Sequence, residues 1–269
     1  MTVSAINQEE LKMWGTIVGD MAGAPFEGGR PIKPGTALLT QGARFTDDTV
    51  LMVAYAKALA DGQRDLGLAY RQAFARYPKA GFGGMFRRWA VDPSVEYSSY
   101  GNGSAMRVAP AAWVSKTLKE TLEEARRSAM PTHSHPEGVR GAQAIAGATF
   151  MARDGANKAQ IKDWVQSLGY DLSQDDPRAW TRRWFATCQA TVPNAVRAFL
   201  QADGFEQAVD LGRRAGADAD TIAAMSGAIA EAFWGVPQPL RAQASEHLDD
   251  WCRETMDGFE ARWPQVRAA

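Results

Sequence analysis

The sequence predicts an all-α fold, a compact bundle of roughly a dozen short helices. Alternating runs of β-branched residues, the mark of half-buried strands, are nearly absent from the 269 residues. Apolar residues recur instead at spacings of three and four. Acids, threonines, prolines and glycines stand where such helices would start and stop. The length is near the upper size of one hydrophobic core, so 1–269 reads as a single domain, without a fixed-period repeat, low-complexity segment or linker.

The first helix is expected over 11–24, with Leu11, Trp14, Val18 and Met21 on one face. Gly15, Gly19 and Gly23 make a smooth strip at i+4 spacing, which suggests close packing against another helix. Asp20, inside this helix, is expected to be structural. The helix ends near Pro25. Glu27 follows in a turn between Phe26 and two glycines, where it is either a solvated loop acid or a group able to reach a metal-bound water.

Arg44-Phe45-Thr46-Asp47-Asp48-Thr49-Val50 opens the next helix, with an alanine-bearing apolar run over 50–59. Far downstream, Gly216-Ala217-Asp218-Ala219-Asp220-Thr221 opens a helical run over 222–233 in nearly the same form. Two readings are open. Asp and Thr cap helix N-termini and complement the dipole there. Yet a helix needs one capping acid, and adjacent carboxylates repel unless a cation or shared proton relieves them. If the fold brings the two starts together, they form an oxygen-only cage for two hard divalent cations.

Between these starts, 64–77 is expected to be helical and to stop at Pro78. Gly81-Phe82-Gly83-Gly84 then leads into a short helix over 85–90. Such a turn can present backbone N–H groups to a phosphate, or can simply be tight. Ser98-Ser99-Tyr100-Gly101-Asn102-Gly103-Ser104-Ala105-Met106-Arg107 is longer than a turn requires, which favours a ligand loop, and a helix to about residue 114 follows. In Thr132-His133-Ser134-His135-Pro136-Glu137-Gly138, Pro136 and Glu137 suit the start of a helix over 139–153. The two imidazoles lack a third ligand for zinc, so a loop role or ligand contact by one ring is expected.

From residue 158 the pattern is again helical. Ile161, Trp164, Val165 and Leu168 form one face; Trp180, Trp184, Phe185 and Cys188 form another after Pro177. Shorter helices are expected over 193–200 and 205–213. The helix from 222 is ended by Gly235 and Pro237, and an amphipathic tail spans 241–263, with Leu248, Trp251, Met256, Phe259 and Trp263 expected in the core.

Bulk properties exclude several classes. With 30 basic and 31 acidic side chains the formal net charge is −1, so no global basic excess points to nucleic acid. Residues 1–10 lack the basic start and apolar core of a signal peptide. No apolar run approaches the roughly 20 residues of a membrane helix. Cys188 and Cys252, without metal-like spacing, are expected to be buried and reduced in a cytoplasmic protein.

Taken in order, five blocks resemble the ADP-ribosylglycohydrolase family. They are Gly15-Thr16-Ile17-Val18-Gly19-Asp20 with Pro25-Phe26-Glu27; Phe45-Thr46-Asp47-Asp48-Thr49; the loop from Ser99 to Arg107; the loop from Thr132 to Gly138; and Asp218-Ala219-Asp220-Thr221-Ile222-Ala223. The resemblance covers about 11–235. This chain departs from the pattern at Ala217, often glycine in the family, and at Ala219, often a bulkier polar residue. Neither position supplies a ligand side chain.

The resemblance implies an orthogonal all-α fold around a dinuclear site for two Mg²⁺ (or Mn²⁺), ligated by Thr46, Asp47, Asp48, Asp218, Asp220 and Thr221. Carboxylate and hydroxyl oxygens suit these ions. It implies Glu27 and Asp48 as catalytic carboxylates. Gly81, Gly83, Gly84, Ser99, Tyr100, Gly101, Asn102, Gly103 and His133 would contact the substrate. The implied activity is hydrolysis of a glycosidic bond that releases ADP-ribose from an acceptor: arginine, serine, another ADP-ribose unit, a nucleic-acid end or a small molecule. The protein is expected to be a monomer with no membrane partner. A non-catalytic binder on the same fold and a dinuclear-metal phosphohydrolase remain as alternatives.

Overall fold

The computed structural model describes residues 13–173 and 186–263. Among these residues the chain forms α-helices and no β-strand. The order is α1 (Trp14–Gly23), a 3₁₀ turn (Ala24–Phe26), α2 (Asp47–Asp61), α3 (Leu66–Arg76), α4 (Gly84–Val91), α5 (Gly103–Met106) and α6 (Ala109–Val114). There follow α7 (Leu118–Ala129), α8 (Pro136–Arg153), α9 (Lys158–Ser167), α10 (Cys188–Gln201), α11 (Phe205–Arg214), α12 (Ala219–Trp234), α13 (Gln238–Glu246) and α14 (Asp250–Arg262). The all-α expectation holds.

Several boundaries differ from the sequence reading for local reasons. The helix expected to run to residue 114 breaks after Met106, because Pro110 lacks an N–H and its ring crowds the carbonyl four residues earlier. The helix expected from 193 begins at Cys188 and carries Pro193 inside it. The tail is two helices, divided where the Asp249 side chain accepts from the Cys252 N–H and caps α14. Helix α7 was not anticipated; the Thr117 side chain caps it at Glu120 N. The faces expected from Trp180, Trp184 and Phe185, and the start of the first helix at Leu11, lie outside the described residues.

α1 and α12 form the central pair, and the glycine strip explains how close they are. A Cβ on Gly15 would sit 2.1 Å from the Gly227 carbonyl oxygen. On Gly19 it would sit 2.2 Å from that of Ala223, and on Gly23, 2.3 Å from that of Ala219. Backbone therefore packs on backbone over the length of α1. The buried Glu231 carboxylate of α12 accepts from the N–H groups of Trp14 and Gly15 at 3.0 and 2.9 Å, stabilising the positive end of α1. Both cysteines are buried and free, as expected.

A long connection, 27–46, joins the 3₁₀ turn to α2. At its start, Gly28 N donates to Ala217 O at 2.7 Å, just before α12. Further on, two arginines of α11 hold its backbone. Arg213 donates to the carbonyls of Thr36 and Ala37, and Arg214 to that of Ile32. Asp210 orients both guanidinium groups. Among the described residues no helix is long and apolar enough to cross a membrane.

Candidate active site

The two acidic helix starts meet. α2 is capped by Thr46, whose hydroxyl accepts from Asp48 N at 3.3 Å. Behind it lies Asp20 of α1, fully buried. Its carboxylate accepts from Thr46 N and Oγ1, each at 2.8 Å, and from Thr49 N and Oγ1 at 3.1 and 2.5 Å. Asp20 thus clamps the turn that aims Asp47 and Asp48. On the other side, Asn102 Nδ2 donates to Asp218 Oδ2 at 2.5 Å, and Asp220 Oδ1 accepts from Thr221 N at 2.9 Å. Because α1 lies backbone-to-backbone on α12, Asp20 is carried up to Asp220.

Two carboxylate clusters result. One oxygen each from Asp20, Asp48 and Asp220 lie within 4.8 Å of one another, and so do oxygens from Glu27, Asp218 and Asp220. Asp220 belongs to both. Asp47 stands outside these clusters, beside Gly81: a Cβ there would lie 2.9 Å from Asp47 Oδ1. Gly81 also has φ +117°, so glycine is required twice over.

The electrostatics are those of a site lacking positive charge. Burial, followed by Asp220, Asp20 and the other neighbouring acids, drives Asp48 well above the usual carboxylate range. Burial, then Asp218 and Asp20, does the same for Asp220. Asp47 is pushed up to about 8 by burial and then Asp20. Asp20 and Asp218 are also raised, chiefly by burial. Among the described residues no Lys or Arg pairs with any of these acids. Asp48 Oδ1 is buried with no hydrogen-bond partner. An all-oxygen donor set with mutual repulsion and an orphaned carboxylate oxygen fits Mg²⁺ or Mn²⁺.

The acids form one end of a cavity of about 220 Å³. Glu27, Asp47, Asp48, Asp218, Asp220 and Thr221 line it there; Thr46 lies behind them, buried. The remaining wall holds Gly81, Gly83, Ser99, Gly101, Asn102, Gly103 and His133. Gly84 and Tyr100 do not line it. Tyr100 is half exposed, its ring edge-on to His135 at 5.4 Å. Hydrogen bonds brace the 98–103 loop from both sides: Ser99 N to Thr132 O at 3.0 Å and Asn102 N to Ala186 O at 3.1 Å. Gly101 N donates to Ser99 Oγ at 2.9 Å.

The two loop histidines separate by role. His135 Nδ1 accepts from Glu137 N at 3.1 Å and caps α8. His133 is buried in the cavity wall beside Tyr97. Burial, and then the Arg107 charge, hold it well below the ordinary histidine range, so the ring is neutral. No described histidine joins a cluster of metal-ligand geometry. Sequence reasoning missed Leu51, Phe86, Tyr97, Met106 and Arg107 in the cavity wall. Leu51 was open to inference, since it lies three residues after Asp48 on the same helix face. Met106 and Arg107 close the 98–107 stretch, where nothing local marks either side chain as facing the cavity.

The ADP-ribosylglycohydrolase family model matches residues 12–267, so the similarity runs beyond residue 235 through α13 and α14. An ADP-ribosylhydrolase ARH3 from Danio rerio is 24% identical, over 90% of this chain and 88% of its own length. An ADP-ribosylarginine hydrolase Tri1 from Pseudomonas putida (strain GB-1) is 28% identical over 75% of this chain and 55% of its own. In fold, the chain is similar to a solved protein titled ADP-ribosylglycohydrolase-related protein complex. The TM-score is 0.71 at 23% identity, covering 93% of this chain and 95% of that one.

Proposed function

The chain belongs to the ADP-ribosylglycohydrolase family, and from that premise we propose that it is a metal-dependent hydrolase releasing ADP-ribose from an ADP-ribosylated acceptor. The observation that carries this reading is the pair of carboxylate clusters sharing Asp220, set at one end of a cavity whose other wall is glycine-rich loop.

Thr46, Asp47, Asp48, Asp218, Asp220 and Thr221 would hold two Mg²⁺ or Mn²⁺. Bound there, such ions supply a positive anchor for a sugar diol. Glu27 is exposed at the acidic end. Its carboxylate takes the proton from the attacking water, or a proton held there goes to the leaving group, as the anomeric carbon gains oxocarbenium character. Asp48 is the alternative base. The backbone of Gly81 and Gly83 and the loop residues Ser99, Gly101, Asn102 and Gly103, with His133, bind the diphosphate and adenosine side. The acceptor is an arginine, a serine, another ADP-ribose unit, a nucleic-acid end or a small molecule. The buried free thiols of Cys188 and Cys252 support a reducing compartment.

The test is incubation with a panel of ADP-ribosylated acceptors, with Mg²⁺ or with a chelator, and chromatography of the products. Free ADP-ribose that disappears on chelation is expected. AMP plus ribose phosphate would make the protein a phosphohydrolase, and no product from any acceptor would leave a binding protein.

A further inference from the structure

Arg107 is a fully buried cation at the end of the ligand loop, and it forms no ion pair with a carboxylate among the described residues. Its guanidinium lies over the Tyr70 ring, 4.3 Å from the centroid. Only Nη2 is hydrogen-bonded; it donates to Ser128 O at 2.8 Å and to Thr132 Oγ1 at 2.9 Å. A guanidinium is a donor and never an acceptor. The Thr132 oxygen is therefore an acceptor in this bond, and its single proton must go elsewhere. The one other partner of Thr132 Oγ1 among the described residues is Nδ1 of His133, at 2.7 Å.

These constraints decide the histidine tautomer. If His133 carried its proton on Nδ1, Nδ1 would donate to Thr132, and the buried hydroxyl proton would have no acceptor. A buried donor left without an acceptor loses its hydration and gains nothing in return. With Nδ1 bare, the chain of donors runs without a break: Arg107 to Thr132, and Thr132 to His133. The neutral ring then carries its one proton on Nε2. That atom faces the ligand loop, where missing side chains leave room for it. A Cβ on Gly103 would lie 3.1 Å from Nε2, and one on Gly101, 3.6 Å.

We infer that Arg107 and Thr132 are positioning residues that lock His133 in its Nε2–H tautomer, so that it donates a hydrogen bond to an acceptor oxygen of the ligand beside Gly101 and Gly103. The inference rests on the proposed function only in naming that ligand as the ADP-ribose moiety. The tautomer follows from the protein alone. A donor fixed in this way selects oxygen atoms with a free lone pair and disfavours a group that can only donate.

The wild-type protein with ¹⁵N-labelled histidines gives the direct test, since the chain has three histidines and His133→Asn identifies the signal. The long-range ¹⁵N–¹H pattern is expected to show protonated Nε2 and bare Nδ1, with or without ADP-ribose. Thr132→Val should mix the tautomers and weaken ADP-ribose binding about three- to tenfold, the worth of one hydrogen bond. Thr132→Ser should restore both. A wild-type ring protonated on Nδ1 would overturn the inference, as would a folded Thr132→Val with unchanged tautomer and affinity. If the valine variant does not fold, the wild-type spectrum still decides. If ADP-ribose does not bind the wild type, the proposed function falls while the tautomer is still read.

Discussion

The hydroxyl of Thr221 donates to Oδ2 of Asp48 at 3.3 Å, joining residues 173 positions apart. It ties the first turn of α12 to the first turn of α2 at the point where the two acidic helix starts face each other. Asp20 holds the same junction from behind, with four hydrogen bonds to α2 from a helix packed on α12. The carboxylates are thereby oriented by the protein's own bonds.

Metal should stabilise the fold, because the site exists in the native state and not in the unfolded chain. At about 100 times the dissociation constant the gain is about 2.7 kcal/mol. For a chain of this size that raises the melting temperature by about 5–10 °C. Thermal melts in chelator and in millimolar Mg²⁺ or Mn²⁺ measure it; coincident curves would remove the metal from the reading.

Carboxylates of the cavity should divide by role. Glu27→Gln is expected to keep metal and ADP-ribose affinity within a small factor while turnover falls by ~10²–10⁴-fold. Asp48→Asn and Asp220→Asn should lose metal and ligand affinity along with turnover. Calorimetric titration of each variant beside a rate assay separates the cases. Normal turnover in Glu27→Gln would move the base to an aspartate. Loss of metal would make Glu27 a ligand first, an outcome its proximity to Asp218 and Asp220 makes specific.

Glycines give a packing test. Gly19→Ala places a Cβ 2.2 Å from the Ala223 carbonyl oxygen, and neither backbone can yield locally. The cost should be at least the ~1–3 kcal/mol of an overpacked core. Metal affinity should fall with it, since Asp20 moves away from Asp220. Gly258→Ala, in α14 with open space around it, should instead add about 0.5–1 kcal/mol. Urea midpoints for the two variants should therefore move in opposite directions.

His133 should give stability a pH dependence between neutral and mild acid. Its folded pKa is depressed, so below about 6.5 the unfolded chain binds a proton that the folded chain refuses. The contribution is complete above pH 6.5 and is lost as pH falls towards the folded value, by about 1 kcal/mol between 6.5 and 5.5. Denaturation midpoints across this range should slope less in His133→Asn than in the wild type. Parallel slopes would mean that the imidazole charges in place.

Much of this arrangement is legible in the sequence because local chemistry records it. The doubled acids at the starts of α2 and α12, the glycine strip of α1 and the long polar run at 98–104 each exceed what a cap, a helix or a turn requires. Asp20 was assigned a structural role, but its four partners at Thr46 and Thr49 could not be foreseen, because a contact across 26 to 29 positions leaves no periodic trace. The same holds for Arg107. Its guanidinium lies over the Tyr70 ring, 4.3 Å from the centroid, a contact that no periodicity in the sequence records. Pro110 stands in the first turn of α6 and Pro193 inside α10, and a proline in the sequence marks either a helix start or an interrupted helix.

The start of the connection, which carries Glu27, is fastened to Ala217 through Gly28, and its middle, 32–37, to Arg213 and Arg214 of α11. Its frame of reference is therefore the Asp218–Asp220 half. If the two helix starts open or close against each other as a ligand enters, Glu27 travels with Asp218 and Asp220. The distance that changes is the one to Asp47 and Asp48. Glu27, Asp218 and Asp220 then move as one unit against α2, and the Thr221–Asp48 bond is the contact such a motion strains.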